Sequence, residues 1–263
     1  MILVINGMCL WLVFCDIFIG KINCLQEVVA IKKYNIGILR VLTIDEKEGL
    51  ELHQNVLKSY FPEFNFETRC IPNQYRGLYN KEAHEKAFPD IVCMAKEWEK
   101  EIDGLIISCA DDPGVNYLRK ELSIPVVGAG LSSSCLALLY NLKVGVIGIQ
   151  NNPPENVIGI LGEKFAGYTI PEGVVNTNDL QTEEGKKATL ASAYKLKELG
   201  AEIIVFACTG LTTSGAIEII KEVGLPVVDG VIAEGLAMKA LLINSEYNAK
   251  KKLGGKLYGK CLF

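Results

Sequence analysis

The stretch Ala201–Asp229, AEIIVFACTGLTTSGAIEIIKEVGLPVVD, decides how the chain is read. Its apolar run Ile203–Ala207 ends in Cys208, then come a loop of small residues, an amphipathic segment, and a second apolar run announced by Pro226. That order predicts strand, loop, helix, strand, with the cysteine at the carboxyl tip of the first strand. Ninety-nine residues upstream the chain does the same: Gly104–Gly128 reads GLIISCADDPGVNYLRKELSIPVVG, with Cys109 in the place of Cys208. Cys109 lies 16 residues before Pro125 and Cys208 lies 18 before Pro226, so the two cysteine loops form a repeat.

Working outward, Asn35–Leu42 reads as a short aliphatic strand, Asp45–Tyr60 has helical spacing of apolar residues, and Phe64–Ile71 alternates as a second strand. After a loop, Pro72–Asn80, Glu82–Glu101 reads as a helix open to a break at Pro89. Ile102–Ser108 is nearly continuous in apolar residues, as a strand covered on both faces should be. Asp112 and Pro113 read as an N-cap and a first helical position, opening a helix through Glu121. A short strand (Pro125–Gly128) and a helix (Leu131–Tyr140) follow. The cycle then restarts at Lys143–Ile149, with a loop at Gln150–Pro154, a helix at Asn156–Lys164, a weak strand at Tyr168–Pro171 and a long helix at Thr182–Leu199.

Strand and helix alternation, repeated without a Gly/Ser-rich linker, predicts an α/β protein of two similar parallel-sheet, flavodoxin-like lobes related by a pseudo-twofold. The expected division is 34–141 for the first lobe, completed by 228–263, and 142–227 for the second. Ligands in such lobes sit beyond the carboxyl ends of the strands. Facing lobes therefore present one cysteine from each side of a cleft.

Residues 1–33 differ from the rest. MILVINGMCLWLVFCDIFIG is apolar over close to the length of a membrane span, yet holds Asn6, Gly7 and Asp16 and lacks a basic n-region. Three readings stay open: an upstream start artefact, a membrane anchor, or a packed extra element. Taken whole, 263 residues with 49% apolar and 22% charged content suffice for a sizeable core. A net charge of -4 with scattered Lys and Arg leaves no basic footprint for nucleic acid, so a small-molecule partner is expected. Nine cysteines, an odd number with no framework spacing, fit a reducing, cytoplasmic setting better than a disulfide scaffold. Cys70, Cys93, Cys135 and Cys261 read as buried or inert thiols. His53 and His84, in or near a helical stretch and a polar loop, read as surface or packing residues; with no C-x-x-C pair, no metal site is expected.

Two facing thiols have a chemical use. A stereocentre bearing a weakly acidic hydrogen is inverted by removing the proton from one face and returning one to the other. Two opposed groups of similar pKa do this without rotating the substrate. Cysteine, with a reference pKa of roughly 8.5, suits the role because a helix N-terminus lowers it. Helices are expected after both loops, and their free N–H groups can also hold a carboxylate or an enolate-like oxygen. Asp111 and Asp112, two and three residues beyond Cys109, act in the opposite direction if ionised nearby. With Asp112 given to the helix cap, Asp111 is left as an orienter or substrate contact. Thr209, Thr212, Thr213 and Ser214 divide between capping and substrate contact, and turn chemistry explains Asn151 and Asn152 as well as binding does.

These features resemble the aspartate, glutamate and hydantoin racemase superfamily, above all its hydantoin and allantoin racemase branch. The resemblance covers about Tyr34–Leu242. It is carried by Cys109 with Asp112-Pro113-Gly114 and Pro125–Gly128, and by Cys208-Thr209-Gly210 with Pro226–Asp229. It implies a cofactor-independent racemase in which Cys109 and Cys208 are the catalytic acid and base, acting on a hydantoin, allantoin or related amino-acid derivative. Arg40, Thr43, Ala110, Asp111, Asn151, Thr209 and Gly210 become candidate substrate contacts, and a homo-oligomer is expected. The chain departs from the family pattern after the first strand, where Arg40-Val41-Leu42-Thr43 replaces an Asn-Pro-Asn type loop, and Gly210 stands where glutamate racemases carry histidine. An arginine at that strand end suits pairing with a carboxylate as well as a surface position. Related cysteine loops also serve maleate isomerases and arylmalonate decarboxylases. A non-catalytic bilobed solute-binding protein, exported by the leader, is the reading from another class.

Overall fold

Two four-stranded parallel sheets share one strand order. The computed structural model describes residues 33–258. The leader reading, like Cys9, Cys15, Cys24 and Cys261, therefore lies outside the described residues. In the first sheet β1 (Tyr34–Arg40), β2 (Phe64–Cys70), β3 (Gly104–Ser108) and β4 (Val126–Gly128) run in the order β2-β1-β3-β4. The second, from β5 (Val144–Ile147), β6 (Phe165–Thr169), β7 (Ile203–Phe206) and β8 (Val227–Val228), has the matching order β6-β5-β7-β8. All pairings are parallel. The duplicated cysteine loop is thus part of a duplicated fold, and the described residues from Tyr34 on form one compact unit.

Each sheet is covered on both faces, which explains the continuous apolar runs. In β3, Leu105 and Ile107 point to a cluster with Leu39, Ile71, Ile91 and Trp98. Ile106 points the other way, to Ile36, Ile38, Leu57, Phe61 and Met238. The first cluster lies under α3 (Lys81–Trp98), which follows α1 (Lys47–Leu50) and α2 (Leu52–Tyr60). The predicted Asp45–Tyr60 helix is therefore two pieces meeting at Glu51. In contrast, α3 runs unbroken through Pro89, which is exposed, so the carbonyl it strands faces water and the cost of the missing bond falls. Asn80 caps α3 by accepting from the Ala83 N–H at 2.9 Å. Asn80→Ala is expected to cost about 1 kcal/mol in urea unfolding.

After β3 come α4 (Val115–Glu121), β4 and α5 (Ala129–Leu138); the second half continues with α6 (Glu155–Leu161), α7 (Glu183–Glu198), α8 (Gly210–Thr213), α9 (Ala216–Ile220) and α10 (Gly230–Tyr258). Helix α5 touches β4, β7 and β8, and α10 packs on α5, α2, β3 and β4, so these two helices tie the halves together. The loop expected after Cys208 is itself helical, as α8. Among the described residues no helix is long and apolar enough to cross a membrane.

The capping expectation for Asp112 is overturned. Helix α4 starts instead at Val115, after Gly114 at φ 75°, with no side-chain cap. Asp112, itself at φ 51°, accepts from the N–H groups of Gly130 (2.8 Å) and Leu131 (2.7 Å), so it caps α5 across the lobe. The repeat explains this exchange. Pro125–Gly128 and Pro226–Asp229 are equivalent, and Asp229 caps α10 directly through the N–H groups of Val231 (2.9 Å) and Ile232 (3.1 Å). Glycine replaces that aspartate at 128, and a Cβ there would overlap the Asp112 carboxylate. The first half thus draws the same cap from a neighbouring loop.

Candidate active site

The two cysteine loops start alike. Cys109 directly follows β3 and its carbonyl accepts from the Asp112 N–H at 3.2 Å; Cys208 lies two residues past β7 and its carbonyl accepts from Leu211 at 3.1 Å. Both cysteines line a single cavity at the carboxyl ends of the two sheets, together with Arg40, Ala110, Asp111, Gln150, Thr177 and Thr209. Among the described residues no group of three or more His, Cys, Asp or Glu is placed to hold a metal ion.

Burial dominates the thiols, contrary to the expectation that helix N-termini would lower them. It pushes Cys208 up to about 11, partly offset by the Gly210 N–H and the Thr177 hydroxyl directed at the sulfur. It pushes Cys109 well above its ordinary value, and Asp111, then Cys208 and Asp112, add to the rise against the Asp111 N–H. Asp111 disfavours both thiolates, whereas Arg40 favours only that of Cys208, and by less than Asp111 opposes it.

Of the candidate substrate contacts, Arg40, Ala110, Asp111 and Thr209 line the cavity. Thr209 also ties the halves, its hydroxyl donating to the Ser108 carbonyl at 3.1 Å. Gly210 stands behind Cys208 and acts through its N–H. Thr43 is not in the wall: its hydroxyl donates to Ile71 O at 2.7 Å and accepts from Gln74 N–H at 2.7 Å, so it braces two loops. Asn151 lies in a separate outer cleft of about 650 Å³, with Tyr79, Lys81, His84 and Asn156. Cys93 and Cys135 are exposed free thiols rather than buried ones.

Several residues carried no sequence signal. His84, read as a surface or packing residue, sits in the first turn of α3 and reaches Asp111 Oδ2 at 3.0 Å. Gln150 donates to Asp111 and to Leu78 O (3.0 Å), linking the loop after β5 to the first half. Asp111 and Gln150 belong to both the cavity and the outer cleft, so this latch stands between them. The cavity holds only about 30 Å³, so a ring-sized ligand requires it to widen. Gln150→Ala is expected to speed alkylation of the cavity thiols severalfold, read by mass spectrometry of the Cys109 and Cys208 peptides. Below the cavity, Ser108 donates to Glu234 Oε2 (3.1 Å) and meets His53 Nδ1 (2.9 Å), all three buried. Burial raises the Glu234 carboxyl and lowers the His53 imidazole, disfavouring the charged form of each.

Twin parallel sheets with a thiol at the same strand end of each define a two-lobed α/β class of protein. The chain belongs to the Asp/Glu/hydantoin racemase family, whose pattern matches residues 51–234. It is 29% identical over 161 residues to a hydantoin racemase of Pseudomonas sp. (strain NS671), covering 56% of this chain and 61% of that protein. It is 27% identical over 165 residues to a hydantoin racemase of Rhizobium meliloti, covering 59% and 66%. The chain thus spans less than two thirds of the length of these relatives. In fold it is similar to an allantoin racemase from Klebsiella pneumoniae, with a TM-score of 0.69 at 18% identity, covering 81% of this chain and 89% of that one.

Proposed function

We propose that the chain is a cofactor-independent racemase of a hydantoin, allantoin or related amino-acid derivative, acting through Cys109 and Cys208. The single observation that carries this reading is that both thiols line one small cavity, one from each half of the repeat. One thiolate takes the proton from the stereocentre, the opposite thiol delivers its own to the other face, and the roles exchange for the reverse direction. Charge passes transiently to an adjacent carbonyl oxygen. Ala110, Thr209 and the Gly210 N–H surround the thiols, while Arg40 and Asp111 bring charges of opposite sign to the same cavity. The same reading divides the lobes as 34–141 with 228–263, and 142–227, and places the protein in the cytoplasm as a homo-oligomer.

The test is incubation of single-enantiomer 5-substituted hydantoins and allantoin in deuterated water, following optical rotation and deuterium at the stereocentre. Loss of rotation with one deuterium gained per inversion is expected. Exchange no faster than that of a Cys109→Ala/Cys208→Ala double variant on every substrate would sink the reading. A decarboxylase would instead release carbon dioxide from a substituted malonate, measured in the same samples.

A further inference from the structure

Arg40 ends β1, in register with Ser108 of β3 and Cys70 of β2, and so is fixed at the floor of the cavity. It is only 5% exposed, lines the cavity beside Cys208, and its Nη1 has no hydrogen-bond partner. Burial lowers it to about 10, so it remains a cation at neutral pH. Glu234 favours that charge most, followed by the Cys208 and Cys70 thiols, yet none of them hydrogen-bonds Nη1: Glu234 is engaged by Ser108, and burial raises both Glu234 and Cys208, disfavouring their anions. A buried guanidinium without an anion is costly, and its planar fork matches two carboxylate oxygens. A neutral hydantoin ring offers no such pair.

We propose that Arg40 is a specificity-determining residue that selects substrates carrying a free carboxylate, such as a carboxyalkyl hydantoin or its ring-opened ureido acid. The choice of hydantoin and ureido scaffolds rests on the racemase reading above; the anion preference rests on Arg40. Asp111, also in the cavity wall and tied to Gln150 and His84, repels the same group and turns the carboxylate toward Arg40.

The experiment compares hydantoin-5-acetic acid with its near-isosteric primary amide by isothermal titration at pH 7, using the full chain as a Cys109→Ser/Cys208→Ser variant that cannot turn over. The acid is expected to bind at least about tenfold tighter than the amide, equivalent to about 1.4 kcal/mol. Adding Arg40→Gln should erase that ratio, and adding Arg40→Lys should retain part of it. Equal affinities, no binding of the acid, or a preference that survives Arg40→Gln would overturn the proposal. Should the glutamine variant not fold by circular dichroism, the ratio in the parent and in the lysine variant decides. A loss of kcat alone in Arg40→Gln, with acid and amide bound equally, would assign Arg40 to an oxyanion formed during turnover and also overturn the selection of a carboxylate. The two readings fail separately: acid preference without exchange at the stereocentre removes the racemase and leaves the anchor. Exchange on neutral rings without acid preference does the reverse.

Discussion

Replacing Cys208 by serine is expected to lower racemisation of an active hydantoin by about 10²- to 10⁴-fold, the range that a positioned proton-transfer group contributes. Serine keeps the size and a proton but ionises far less readily than a thiol, so it serves poorly as a base. Cys109→Ser should show a loss of the same order, because inversion requires both faces. The informative measurement is deuterium at the stereocentre during the first turnovers of each pure enantiomer. A single variant retains one working thiol, so exchange with retention is expected for one enantiomer and little for the other, with the preferred hand reversed between variants. Equal exchange of both hands in either variant would rule out two opposed bases. The pH dependence follows from the same thiols. With burial holding Cys208 at about 11, its thiolate is scarce at neutral pH, and kcat/KM should rise with pH between about 7 and 10 as that form accumulates. A profile falling over that range would mean that the protonated thiol limits the rate.

The succession of strands and helices along the chain and the twin cysteine placement were legible because both follow from local signals: short apolar runs bounded by turn residues, met twice. The site was legible only in part. Thr43 follows a strand end, the place where ligands gather, yet its hydroxyl is consumed by Ile71 and Gln74, whose proximity depends on the fold. His84 and Gln150 come together across 66 residues of sequence, and no local pattern foretells such a pair. The thiol acidities failed for a different reason. A helix N-terminus is visible in sequence, but the burial that outweighs it is a property of the closed cavity. Arg40 shows both sides: its residue type suggested an anion, while its burial and missing partner emerged only from the packed structure.

Asp112→Ala is expected to destabilise the protein by about 2 kcal/mol, lowering Tm by roughly 4 to 8 °C. The substitution removes acceptors for Gly130 N–H, Leu131 N–H and the Asn156 side-chain amide (2.7 Å), leaving the start of α5 unpaired at the junction of the two halves. Asp112→Asn preserves an acceptor and isolates the charge. Burial raises the Asp112 carboxyl from 3.8 to about 6, so the folded state holds its proton more tightly than the unfolded chain does. That contribution to stability is fully present below pH 3.8 and is lost as pH rises through 6, by up to about 3 kcal/mol. Chemical unfolding at pH 4 and pH 7 should therefore show the asparagine variant gaining on the wild type as pH rises, with most of the change between those values. A gain in the opposite direction would mean that the two backbone N–H groups outweigh burial and that the carboxylate caps α5 fully ionised. The same variant removes one of the carboxylates that hold the Cys109 thiol up, so alkylation of Cys109 should quicken even where stability is unchanged. The cap that replaces a missing Asp229 equivalent in the first half is thereby coupled to the acidity of its thiol.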